Sequence, residues 1–209
     1  PFMACGEVTV GGVRGRLFRI TFSGELAYEV AVPARYGHAL MEALWQAGQP
    51  YDVVAYGTEA LGVMRIEKGH AAGGELNGQT TARDLGMGGM VSARKDSIGA
   101  VLSRRPALTD PERPTLVGLV PERAGDEIGA GAHLLAPGAK AETAADEGWV
   151  SAAAFSPTLG HAIALGFLRR GPERHGERMI AWDGMRGRHV PVRVTSPHFY
   201  DPEGARARV

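Results

Sequence analysis

The sequence predicts an α+β fold in two parts: an α/β layer over residues 1–105 and a β-barrel-like domain over residues 114–201. A linker is expected at 106–113 and a tail at 202–209. Three observations predict this. The first hundred residues carry strand-like alternation, then helical spacing, the mark of layered sheet and helix. Pro106, Pro111 and Pro114, set around Asp110 and Glu112, interrupt the composition. Beyond them, short apolar runs recur between turn residues, the pattern of a small barrel or sandwich.

Val8-Thr9-Val10 runs into Gly11-Gly12, a hairpin-type turn. Arg16 to Phe22 alternates, with Phe18, Ile20 and Phe22 on one face and Leu17, Arg19 and Thr21 on the other. Ser23-Gly24-Glu25 makes a turn, and Tyr28 to Val32 is the next strand. A helix follows Pro33, with Leu40/Leu44 and Met41/Trp45 at i,i+4 spacing, and Gly48 and Pro50 stop it. A second helix starts near Thr58 as N-cap, carries Ala60, Leu61 and Met64 on its apolar stripe, and ends at Lys68-Gly69. After the linker, Leu116–Val120, Ala132–Leu135, Trp149–Phe155, Ala162–Leu168 and Val190–Val194 read as short strands. Gly138 to Asp146 reads as an exposed loop.

Lys plus Arg equals Asp plus Glu at 23 each, so no net charge draws the chain to nucleic acid or to an anionic membrane. One cysteine, Cys5, excludes an internal disulfide framework, which fits a reducing, cytoplasmic setting. No apolar run approaches the ~18–20 residues of a membrane span. The seven histidines show no metal-ligand spacing. Gly86-Met87-Gly88-Gly89-Met90 matches neither a Walker loop nor a dinucleotide fingerprint. The opening Pro1-Phe2-Met3 suggests a piece of a longer protein.

The pattern singles out Glu29. In a strand it shares a face with Ala27 and Ala31, while Tyr28, Val30 and Val32 form a core face. Small neighbours leave a shelf for a flat ligand, with an acceptor at its edge that can take two parallel N–H bonds. By pattern alone, a solvated glutamate on the open face of a sheet is the better account of it.

Phe18 through Val30 resembles the strand–turn–strand signature of the aminomethyltransferase family, which includes the T-protein of the glycine cleavage system. Tyr56 to Leu61 and Met64-Arg65-Ile66-Glu67-Lys68-Gly69 resemble the helix that follows. Ser156-Pro157-Thr158-Leu159-Gly160 and the ending Val194 to Gly204 are most similar to the branch formed by alpha subunits of heterotetrameric sarcosine oxidases. The resemblance implies a ferredoxin-like α/β layer and a C-terminal barrel, with the first half of the folate-binding domain absent.

It further implies that Glu29 holds the pterin ring of tetrahydrofolate, with Tyr28, Arg65 and Tyr200 completing the candidate folate set. Ion pairing of Arg65 and Glu67 at a domain interface, and core packing of Tyr200, stand as the structural alternatives. The implied activity is acceptance by tetrahydrofolate of the one-carbon unit from sarcosine demethylation. Flavin and NAD are expected in other regions or subunits, and flavin-bearing and other sarcosine oxidase-type subunits are the expected partners. The T-protein arginine that holds the folate tail is replaced here by Leu61, and the family's essential aspartate belongs upstream, so no catalytic residue is assigned. A folate-binding regulator without transferase activity, a T-protein-like aminomethyltransferase and a subunit-docking fragment are the rival readings. Lys68-Gly69-His70 lacks the cysteine that the regulators carry at that point.

Overall fold

The computed structural model describes residues 1–209. The chain divides into two compact units, Pro1–Arg65 with Asp201–Val209, and Ile66–Tyr200. By internal packing, residues 66–113 group with the barrel, whereas the sequence placed its boundary near 105.

In the first unit, β1 (Cys5–Val10), β2 (Val13–Phe18) and β3 (Glu29–Ala31) form an antiparallel sheet in that order. Gly11 and Gly12 join β1 to β2 with φ of 55° and 80°, the pair of positive angles that a two-residue hairpin turn requires. β2 stops at Phe18, short of the expected Phe22. Beyond it the Thr21 hydroxyl accepts the Gly24 N–H at 3.0 Å, so side-chain–backbone bonding replaces the ladder there.

The register places Val8, Val10, Val13, Leu17 and Val30 on one face and Arg16, Phe18, Glu29 and Ala31 on the other. Helix α1 (Gly37–Gly48) lies by the first face, where a cavity of about 70 Å³ separates Val10, Val13 and Val32 from Ala39, Leu40 and Ala43. Met41, Leu44 and Trp45 are exposed, and Ala207 is the one buried apolar residue of this unit. Its sheet is therefore thinly covered.

Helix α2 spans Thr58–Lys68. Gly57, not Thr58, accepts the first helical bond, from the Leu61 N–H at 3.2 Å. The expected stripe of Ala60, Leu61 and Met64 is not the buried part; that is the last turn, Ile66, Glu67 and Lys68. Gly69 ends the helix at φ 78°, and a Cβ there would lie 2.4 Å from the Pro197 carbonyl. Only glycine fits that close approach.

The second unit is built on a closed six-stranded barrel, β4-β7-β6-β5-β8-β9, with all neighbouring pairs antiparallel. Its strands are β4 (Pro114–Pro121), β5 (His133–Leu135), β6 (Asp146–Ser156), β7 (His161–Arg169), β8 (Arg178–Asp183) and β9 (Arg188–Thr195). Five of them match the expected runs. β8 does not, because its polar ends mask a short apolar centre, Met179, Ile180 and Ala181.

Val117, Leu119, Leu134, Val150, Leu168, Met179 and Val192 fill the interior. A second apolar cluster, Ile66, Leu116, Ile163, Leu165 and Phe167 with Leu85 and Phe199 against it, lies apart from the first. β7 contributes to both, so it is buried from Ala162 to Leu168 and reads as a continuous apolar run. The expected linker contains a four-residue helix, Pro106–Thr109, and Arg113, which pairs with the buried Asp84 at 2.6 Å.

Candidate functional site

Glu29 opens β3 opposite Phe18, which in turn faces Cys5 across the sheet. Its side chain stands on the face away from Val30 and beside Ala31, as the alternation required, and it is exposed. Half-buried Phe18 and exposed Ala31 and Glu29 therefore share one face of the sheet, with the carboxylate beside a ring and a methyl group. Glu29 and Ala31 are open to solvent there.

Tyr28 departs from its expected place on a core face: it is 56% exposed. The reason is Arg19, which occupies the covered side at 7% exposure and sets its guanidinium 5.2 Å from the Tyr28 ring and 5.8 Å from the Phe2 ring. Arg19 donates to the carbonyls of Ala27 (3.2 Å), Ala207 (2.9 Å) and Val209 (3.2 Å). A buried guanidinium satisfied by carbonyls and bracketed by rings is a fixed post rather than a free ligand-binding group. A cavity of about 470 Å³ lies beside it, lined among others by Phe2, Glu7, Leu17, Arg19 and Tyr28. Glu29 does not line that cavity. Sequence reasoning missed Arg19; a charged residue in phase with the apolar face of β2 was the available signal.

Arg65 is half-buried in α2, in the first unit with Glu29 and Tyr28. Tyr200 is half-buried in the second, where its N–H and that of Phe199 both donate to the Glu67 carbonyl, at 2.9 and 3.0 Å. His198 Nδ1 donates to the Lys68 carbonyl at 3.0 Å. The closing motif thus caps the carbonyls that a helix C-terminus leaves unpaired.

The Glu67 side chain is 2.5 Å from the Ser156 hydroxyl, which donates to it, and both residues are buried. Glu75, fully buried, accepts the Ser151 hydroxyl at 2.6 Å and the Ala72 N–H at 2.8 Å. Ser151 occupies a register shift in β6, an extra residue whose side chain the bulge aims at Glu75. Glu67 and Glu75 therefore act as fasteners between the α2 region and the barrel strand β6. No group of three or more His, Cys, Asp or Glu residues is placed to hold a metal ion.

Comparison with known proteins accounts for this combination. The family profile of the GCVT N-terminal domain matches residues 1–95, and that of the glycine cleavage T-protein C-terminal barrel domain matches residues 115–201. The chain belongs to the glycine cleavage T-protein family.

Within the T-protein family it is 47% identical, over all of its length, to a sarcosine oxidase subunit alpha of Rhizobium meliloti (strain 1021). It is 31% identical, over 92% of its length, to an aminomethyltransferase of Streptomyces avermitilis. The chain spans 22% of the first protein and 51% of the second. The crystal structure of the glycine cleavage system aminomethyltransferase T from Bartonella henselae shares the fold, with a TM-score of 0.74 over 90% of this chain and 50% of that one at 24% identity. No helix is long and apolar enough to cross a membrane.

Proposed function

We propose that this chain is the folate-binding portion of a sarcosine oxidase alpha-type subunit. In this reading it positions tetrahydrofolate to accept the one-carbon unit released by oxidative demethylation, giving 5,10-methylenetetrahydrofolate. The observation that carries the proposal is the placement of Glu29: a carboxylate with no competing cation, exposed on the sheet face that it shares with Phe18 and Ala31. Residues of this kind fit a pterin. The carboxylate takes two parallel N–H bonds from its 2-amino-4-oxo edge, and the phenyl ring offers a stacking surface. Tyr28, Arg65 and Tyr200 are the further proposed contacts, and the ring fixed over Arg19 gives Tyr28 a defined orientation.

Tetrahydrofolate supplies the nitrogen nucleophiles that accept the carbon. The chain's own share is orientation, since reactants held in attack geometry need less help from acids and bases. Oxidation of sarcosine, with its flavin and NAD, is assigned to other regions and to flavin-bearing subunits in the cytoplasm. The isolated chain is accordingly proposed to be inactive toward sarcosine.

Calorimetric titration of tetrahydrofolate into wild type and Glu29→Ala tests the reading. Losing two charge-assisted bonds weakens binding by about 30- to 1000-fold, equivalent to about 2–4 kcal/mol. The melting temperature stays nearly unchanged, because Glu29 is exposed. Unchanged affinity in the variant removes Glu29 from the site.

A further inference from the structure

We infer that the second unit carries a separate small-anion site, formed by Arg83 and Arg104 above a pocket in the segment between α2 and the barrel. The pocket holds about 250 Å³ and is lined by Thr81, Ala82, Arg83, Gly88, Val91, Ser103, Arg104, Leu108 and Thr109. The lining includes two arginines and no acidic residue; of its three hydroxyl residues, Ser103 donates to the Ala100 carbonyl and Thr109 to the Arg105 and Pro106 carbonyls, which leaves Thr81. Neither guanidinium is engaged in an ion pair or hydrogen bond.

The nearest acid in sequence, Asp84, is turned to Arg113, which binds both of its carboxylate oxygens. It also accepts the Thr81 N–H at 2.8 Å, so none of its acceptor capacity is turned toward Arg83. Over the segment 81–113, Arg83, Arg94, Lys95, Arg104, Arg105 and Arg113 stand against Asp84, Asp96, Asp110 and Glu112. Among the lining residues themselves no acidic side chain offsets Arg83 and Arg104.

A contrast within the same unit shows what compensation looks like. The pocket of about 360 Å³ around Arg169, Arg170 and Arg174 is also lined by Glu112, Asp146 and Glu147. Arg174 is held there by Glu147 and by Glu177 at 2.7 Å. Arg170 and Arg174 are thus ion-paired, whereas Arg83 and Arg104 lack any such partner.

Paired planar guanidinium forks match the oxygens of a phosphate or carboxylate. The Thr81 hydroxyl accepts the Asp84 N–H at 3.3 Å, which leaves its own proton free to donate to an anion. Val91, Leu108 and Ala82 give an apolar wall suited to a short carbon stem. The volume lies below the ~300–1,000 Å³ of most small-molecule sites, which suits one anionic headgroup and not a whole nucleotide or cofactor. The ligand class is therefore a small phosphate- or carboxylate-bearing metabolite, or the anionic end of a larger one. This inference does not depend on the folate reading, because none of its residues is proposed to touch folate.

The test is titration of the 209-residue chain with inorganic phosphate and, separately, with succinate, followed through the arginine Nε–H resonances by NMR. Saturable shifts confined to Arg83 and Arg104 are expected with at least one anion, together with a rise in melting temperature. The size of the response to each anion tells phosphate from carboxylate preference. The Arg83→Gln/Arg104→Gln double variant, altered only at exposed side chains, should weaken binding at least tenfold, while Arg169→Gln leaves it unchanged. Equal shifts at Arg169 and Arg178, or no saturation with either anion, would overturn the assignment, as would wild-type affinity in a folded double variant.

Discussion

At Ser156 the barrel meets a buried carboxylate. The Ser156 hydroxyl donates to Glu67 at 2.5 Å and also accepts the Leu159 N–H at 3.0 Å, with no exposure to water. Truncating it to alanine leaves a charged acceptor buried with one bond fewer and a backbone donor unpaired. The expected cost is about 1–3 kcal/mol, read as a lower urea midpoint at unchanged slope. Glu67 belongs to the stretch that carried the family resemblance, and the structure gives that stretch a packing role. Arg19 makes the same point from the other side: it lies in the signature strand region, yet its bonds go to backbone carbonyls. A sequence shows that a charged residue sits in a motif. Whether its charge meets a ligand or a carbonyl depends on what the rest of the chain brings to it.

At the scale of elements, the segment between α2 and the barrel holds its place by polar fasteners more than by regular structure. Asp84 is the clearest. Burial alone would raise its pKa, but hydrogen bonds from Arg113 and from the Thr81 N–H more than offset that, and the net shift is downward. A carboxyl whose pKa is lowered by folding contributes stability only while ionised. Its contribution is thus complete above the ordinary carboxylate value of 3.8 and is lost as pH falls through the lower folded value. Acid unfolding monitored by near-ultraviolet circular dichroism should show this loss in wild type, and Asp84→Asn should be less stable at neutral pH with a flatter acid limb. An equally steep limb in the variant would exclude Asp84 as its source. The sequence showed the prolines of this region and hence a break, but the short helix at Pro106–Thr109 and the partner of Arg113 lie in contacts 29 residues apart.

Across the whole molecule, apolar burial is unequal. The second unit has two packed clusters, while the first has a three-stranded sheet with open edges and an α1 whose Met41, Leu44 and Trp45 remain 54%, 47% and 42% exposed. Local stability follows buried apolar contact. Hydrogen exchange should therefore protect β4, β6 and β7 most and leave β1–β3 exchanging faster; uniform protection would contradict this account.

The α+β class, five of the six barrel strands, the span of α2 and the open-face position of Glu29 were determined by the sequence alone. Each rests on periodicity, turn glycines or helix ends, which are local properties of neighbouring residues. Tertiary structure alone decided that Tyr28 turns outward over Arg19, that Glu67 and Glu75 fasten to serines of β6, and that Arg83 and Arg104 share a pocket without a counter-ion. Those outcomes depend on residues far apart in the chain competing for the same buried polar partners, and no local pattern encodes which of them wins.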